Sequence, residues 1–132
     1  MKEQRQSITV RTLPEQLDAG QQKALYRELE NCINVDRPAL VLDCSRLSRL
    51  DEGASHFLLC CLEEAIKRNG DVRLAALRAE TSKAFRTLGL DHLFRTFDSI
   101  SEAVESFRLP MISFVQREPS SVDQQSARDN AA

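Results

Sequence analysis

The chain has no tryptophan, one tyrosine and six phenylalanines, so aromatic residues fill only 5% of its 132 positions. There are four glycines and neither a GxGxxG nor a P-loop motif, which argues against a glycine-rich loop cradling nucleotide phosphates. An excess of one charge is missing too. Eighteen Lys+Arg stand against twenty Asp+Glu, a net charge of −2, and the arginines are dispersed. Neither a nucleic-acid partner nor an anionic membrane surface is expected. No apolar run approaches the ~20 residues needed to span a bilayer, and MKEQRQSITV has no signal-peptide core. The expectation is a cytoplasmic protein without a membrane span.

Cysteine chemistry is equally sparse. Cys32, Cys44, Cys60 and Cys61 form no CxxC pair, and the two histidines read as lying at no ligand spacing from them. Cys60 and Cys61 would point about 100° apart on a helix and share a metal poorly. All four are expected to be small apolar residues in a reducing compartment, with no metal or other cofactor.

What the chain does contain is a strand–turn–helix from Pro38 to Arg68. Ala39 to Leu42 is an apolar run closed by Asp43. Ala54, Phe57, Leu58, Cys61, Leu62 and Ala65 recur at three- and four-residue steps, the mark of an amphipathic helix. Asp51 is its expected N-cap and Glu52 a first-turn acid favoured by the helix dipole.

Similar units lie on either side. SITVRT (7–12) alternates as a strand, Glu15 to Leu17 reads as a possible edge strand, and Asp18 caps a helix from Ala19 to Asn34. Asn69-Gly70 supplies a left-handed helix end before a strand over 71–77. A short helix follows over 80–88 with Ala84, Phe85 and Leu88 inward, ended by Gly89. Leu93 to Phe97 reads as the last strand. Ser99 and Glu102 then form a capping box ahead of Ile100, Ala103, Val104 and Phe107. Strands alternating with helices predict an α/β fold: a mixed, mostly parallel sheet of four to five strands with about four helices. In such sheets sites lie at the carboxyl ends of the strands, which here means the turn from Asp43 to Gly53. Beyond 109, Met111 to Val115 is a brief apolar run that could dock on the domain or a partner. The rest of 110–132 is polar and expected to be a disordered tail.

Asp43, Asp51, Glu52 and His56 could in principle do acid–base work. Capping explains both acids at the helix start, and Asp43 is expected to end its strand by bonding nearby backbone. Ser55 lies in no nucleophile elbow. A recognition module is the better reading.

The stretch from Ala39 to Val104 resembles the STAS domain of anti-sigma factor antagonists. The resemblance rests on Leu42-Asp43, on Leu50-Asp51 before the central helix, on Asn69-Gly70-Asp71, and on Phe85 to Phe97 with Leu88-Gly89-Leu90 and Leu93-Phe94. It implies a single STAS-like domain over 1–109 and a non-catalytic partner switch, with an anti-sigma factor or serine-kinase-type regulator as partner. In that family the kinase phosphorylates a serine of an Asp-Ser-Ser-Gly type motif. Aligning Asp51 with the motif aspartate puts Glu52 at the first serine and Gly53 at the acceptor, so the usual switch is lost. Ser45, Ser48 and Ser55 are nearby hydroxyls that match no acceptor position. The expected partner contacts are Arg46, Ser48, Arg49, Glu52, Gly53 and His56. The alternatives are a STAS subunit bracing a transporter ATPase or signalling assembly, and a small-ligand binder or enzyme using Asp43, Asp51 and His56.

Overall fold

Strand order follows chain order. In the computed structural model, which describes residues 7–108, β1 (Ile8–Thr12), β2 (Ala39–Asp43), β3 (Asp71–Ala75) and β4 (Thr96–Phe97) lie side by side as β1-β2-β3-β4. Every pair is parallel, with Ile8 beside Ala39 and Ala39 beside Asp71. The connections are α1 (Ala19–Ile33), α2 (Glu52–Lys67) and α3 (Ala79–Thr87), and α4 (Ile100–Arg108) follows the last strand. The α/β class and the mostly parallel sheet are as expected, with four strands and four α-helices plus one 3-10 turn over Leu90–His92 among the described residues.

Parallel strands are joined by right-handed crossovers almost without exception. A sheet that grows in one direction must then carry all its crossovers on one face. The core is split accordingly. Leu40, Leu42, Val72 and Leu74 cluster with Leu29, Leu58, Leu62 and Phe85, whereas Val41 and Ala75 meet Ala103 of α4. Ala39 to Leu42 are buried without a break, as a central strand covered on both faces requires.

On the α4 side the packing is partly polar. Arg73 of β3 is only 8% exposed. Its Nε donates to Asp71 Oδ2 at 2.9 Å, its Nη1 to Ser106 Oγ at 2.8 Å, and its guanidinium lies 3.9 Å over the Phe107 ring. A buried cation thus finds charge, hydrogen bonds and a π-face together. The Ser99 cap is present, its Oγ accepting from Glu102 N at 3.1 Å.

Several elements differ from the sequence reading. Glu15 to Leu17 is not a strand. Pro14 cannot donate to a ladder, and after Leu13 N bonds Asp43 O at 2.9 Å the chain leaves the sheet while Leu13 and Leu17 sink into the core. β3 stops at Ala75 because Ala76 turns to φ 62°, so Leu77 lies beyond it. The last strand is the pair Thr96–Phe97; Leu93 closes the 3-10 turn instead. Leu88 is exposed rather than inward. Three residues past Phe85 it sits about 60° round the helix axis, off the buried stripe. Asn69 takes the left-handed conformation (φ 64°) alone, and Gly70 has another reason to be glycine, taken up in the Discussion. The 111–115 run and the 110–132 tail lie outside the described residues.

Candidate functional site

The carboxyl end of β2 opens into a turn that is tied down on three sides. Cys44 N continues the ladder to Ala75 O at 2.8 Å, Ser48 N reaches Glu15 O at 2.9 Å, and Leu47 O accepts from Thr81 Oγ1 at 3.1 Å. Cys44, Leu47 and Leu50 point into the core, leaving Ser45, Arg46 and Arg49 outside. The apolar residues recur every third position, so the turn presents its two arginines from a fixed backbone.

Two carboxylates of this edge, Asp43 and Asp51, are committed to local structure. Asp43 Oδ1 accepts from Ser45 N at 3.0 Å and Oδ2 from Thr12 Oγ1 at 3.3 Å. Asp51 caps α2, its Oδ1 accepting from Ala54 N at 2.9 Å while its carbonyl takes the first helical bond from Ser55 N. Asp43, Asp51 and His56 thus have three separate sets of hydrogen-bond partners.

The expected contact residues divide in two. Arg46, Arg49, Glu52, Gly53 and His56 are exposed. Ser48 is half-buried, and both its N–H and its hydroxyl donate to Glu15 O. Of the other hydroxyls, Ser45 is exposed and Ser55 is buried at 8% exposure. Gly53 has room beside it. A Cβ there would meet Asp51 Oδ1 and Gln22 Nε2 at 3.5 Å each, ordinary contact.

The sequence reading missed the other half of this edge. An open groove of about 490 Å³ runs between the start of α2 and α3, lined by Leu50, Asp51, Glu52, Glu80, Lys83, Ala84, Thr87 and Leu88. Leu50, Ala84 and Leu88 are its apolar surface and the charged residues its rim; Leu88 is 38% exposed. The one signal in the sequence was Leu88 itself, an apolar residue at a helix end one step off the stripe.

Thiols divide by burial. Desolvation pushes Cys44 and Cys61 up to about 12, so both are protonated at neutral pH and neither is poised as a nucleophile or ligand. Cys60 differs. Its Sγ lies 3.5 Å from His56 Nε2, one helical turn away. The sequence reading set the histidines at no ligand spacing from the cysteines; a four-residue step on a helix brings this pair together. Among the described residues no three His, Cys, Asp or Glu side chains gather around one point, and no helix is long and apolar enough to cross a membrane.

Comparison with known proteins gives one sequence match and several matches of shape. Residues 1–103 match the sequence profile of the STAS domain. A candidate anti-sigma factor antagonist from Thermotoga maritima superposes with a TM-score of 0.67 at 18% identity, over 76% of this chain and 88% of that one. An anti-sigma-factor antagonist STAS domain protein from Planctomyces limnophilus gives 0.64 at 8% identity, over 74% and 88%. The STAS domain of a SulP transporter from Vibrio cholerae gives 0.66 at 13% identity, over 80% and 84%. At these identities the structures share the fold. No curated protein matches in sequence.

Proposed function

The chain belongs to the STAS domain family, and from that premise we propose that it is a non-catalytic, protein-binding regulator of the anti-sigma factor antagonist kind. Its partner is an anti-sigma factor or related serine-kinase-type regulator. Contact is made by Arg46, Arg49, Glu52, Gly53 and His56 together with the groove against α3. The observation that carries this reading is the edge at the carboxyl end of β2. Asp43 and Asp51 are spent on backbone and hydroxyl partners, while exposed arginines and an apolar groove with a charged rim, Glu52 among it, are left to the outside. Such a surface supports recognition by burial and charge complementarity rather than bond-making.

Calorimetric titration against the anti-sigma or kinase-type regulators of the native cell tests it. Saturable binding is expected, and Leu88→Asp should weaken it at least tenfold, about 1.4 kcal/mol or more, by placing a charge in the groove. Wild-type affinity in Leu88→Asp would remove the groove from the interface. Binding to a transporter ATPase and to no such regulator would favour the bracing role.

A second experiment addresses the missing acceptor. The turn from Asp51 to Ala54 has no hydroxyl, so the natural chain is regulated by partner abundance or another ligand and not by phosphate on this turn. Gly53→Ser is expected to fold, since its Cβ meets only ordinary contacts. With a kinase-type partner and ATP, mass spectrometry should find phosphate on the new serine and none on residues 51–54 of the natural chain. Phosphate adds about −1.5 to −2 charges beside Asp51 and Glu52, and the complex should come apart. A phosphorylated variant that stays bound would place the turn outside the interface.

A further inference from the structure

We propose that the chain forms a symmetric dimer by pairing β1 with β1 of a second copy, antiparallel and centred on Val10. Backbone direction carries the argument. β1 is an edge of the sheet, and among the described residues no strand lies on its outer side. Leu13 N–H turns inward to Asp43 O. In a parallel ladder a strand faces its neighbour at every second residue, so Arg11 and Thr9 face β2 as well. Ile8, Val10 and Thr12 therefore aim their N–H and C=O groups away from the sheet. Nothing in ITVRT blunts this edge, which has no proline, no lysine and no bulge, the usual guards against edge pairing. The opposite edge, β4, is kept to two residues. Arg11 Nη1 donates to Val10 O at 3.1 Å, and the second lone pair of that oxygen is left for an N–H.

The edge is complementary to itself. A two-fold axis through the Val10 pair sets Val10 against Val10, Ile8 against Thr12 and Thr9 against Arg11. Outward residues then meet only outward residues. Each such pair exchanges both of its N–H···O bonds, so every outward N–H and C=O finds a partner. On the face covered by α4, Ile8 and Val10 are only partly buried in one chain, and they continue the Val41, Ala75 and Ala103 cluster across the axis. On the other face each Arg11 stands opposite a threonine, so no like charges are directly opposed. An edge of five residues is short, which places the dimer among the small, reversible interfaces, below about 1,200 Å². It uses neither the turn nor the groove assigned to the regulator, and stands whether or not that regulator binds.

Sedimentation equilibrium and amide hydrogen exchange on the full reduced chain test this. At high concentration two chains per particle are expected, with the Val10 and Thr12 amides slow to exchange. Dilution should return single chains and speed exchange at both positions, while the Arg11 amide, bonded to β2, stays slow throughout. Thr9→Lys sets a lysine opposite Arg11 on both sides of the axis and should weaken the dimer about threefold or more, whereas Thr9→Asp should tighten it by a similar factor. Circular dichroism of each variant checks the fold. A chain that stays single at high concentration, with fast Val10 and Thr12 amides, would overturn the proposal. So would a single chain in which those amides are slow at every concentration, since the edge would then belong to the chain's own residues 1–6. A dimer with fast Val10 and Thr12 amides, or one that Thr9→Lys leaves unchanged, would move the interface elsewhere and overturn it too.

Discussion

Replacing Gly70 with alanine is expected to cost roughly 3 kcal/mol or more, a large share of the stability of an ordinary domain. Gly70 closes a Schellman helix end: its N–H donates to Ala65 O at 2.8 Å, and Asn69 N–H to Ile66 O at 2.9 Å. The left-handed residue of that motif is Asn69, so Gly70 is not needed for its φ. It is needed for space. Asp71 N bonds Pro38 O at 2.9 Å and Arg37 N bonds Arg68 O at 2.8 Å, which draws the chain against the start of β2. A Cβ on Gly70 would lie 2.5 Å from both the nitrogen and Cδ of Pro38, and closer still to its carbonyl oxygen. These are backbone and ring atoms that cannot swing away. Either the helix end or the β2–β3 register has to open. Urea midpoints of the two proteins decide it, and a midpoint equal to wild type would show that the junction yields cheaply. Asn69→Ala serves as a comparison, with an expected loss of about 1–2 kcal/mol for a side chain poorly suited to the left-handed region.

The second large effect is a loss of stability in alkali. Cys44 and Cys61 ionise near 12 in the folded protein because burial disfavours the thiolate, and near 8.5 when unfolded. Between those values the unfolded chain releases protons that the folded chain retains, so stability falls as pH rises. Below about 8.5 the contribution is fully present. Each thiol should remove about 1.4 kcal/mol per pH unit above that, and the two together about 2.7. Because the unfolded thiols are already half ionised at about 8.5, raising the pH from there to about 10 should remove about 3 kcal/mol by the same linkage. Tyr26, raised by burial first and by Glu64 next, adds to the decline at still higher pH. Urea unfolding across this range is the measurement, with Cys44→Ala/Cys61→Ala expected to flatten the curve. An equally steep decline in that double variant would assign the effect to other groups.

Where an element is specified within a few residues, the chain could be read directly. Asp18, Asp51 and Ser99 each accept a hydrogen bond from a backbone N–H three residues on, and side-chain chemistry alone announces such caps. The apolar run at Ala39–Leu42 announced a central strand for the same reason. Features that depend on distant partners were not legible. Residues 15–17 alternate well enough for an edge strand, yet Leu13 and Leu17 are drawn to a core assembled from α1 and β2. Arg73 sits in an apolar strand, and nothing local says that Ser106 and Phe107, some thirty positions away, make its burial tolerable. The candidate site divides along the same line. The Asp51 cap was legible because capping is local, whereas the α3 wall of the groove exists only once two helices pack.

Chain-order pairing in the sheet also has a consequence for how the protein is made. β1 and β2 pair across about thirty residues, as do β2 and β3, and β4 joins after about twenty more. A chain leaving the ribosome from its N-terminus therefore always meets a finished edge, and no strand has to insert between two that are already joined. Each step closes a loop of similar, modest length. The face that holds Val41 and Ala75 is different, because its cover is α4, the last described element to emerge. Until Ala103 and Phe107 have been synthesised, that face stays wet on an otherwise assembled sheet. The nascent domain is thus most exposed to chaperones and to wrong partners in the interval just before α4 is released.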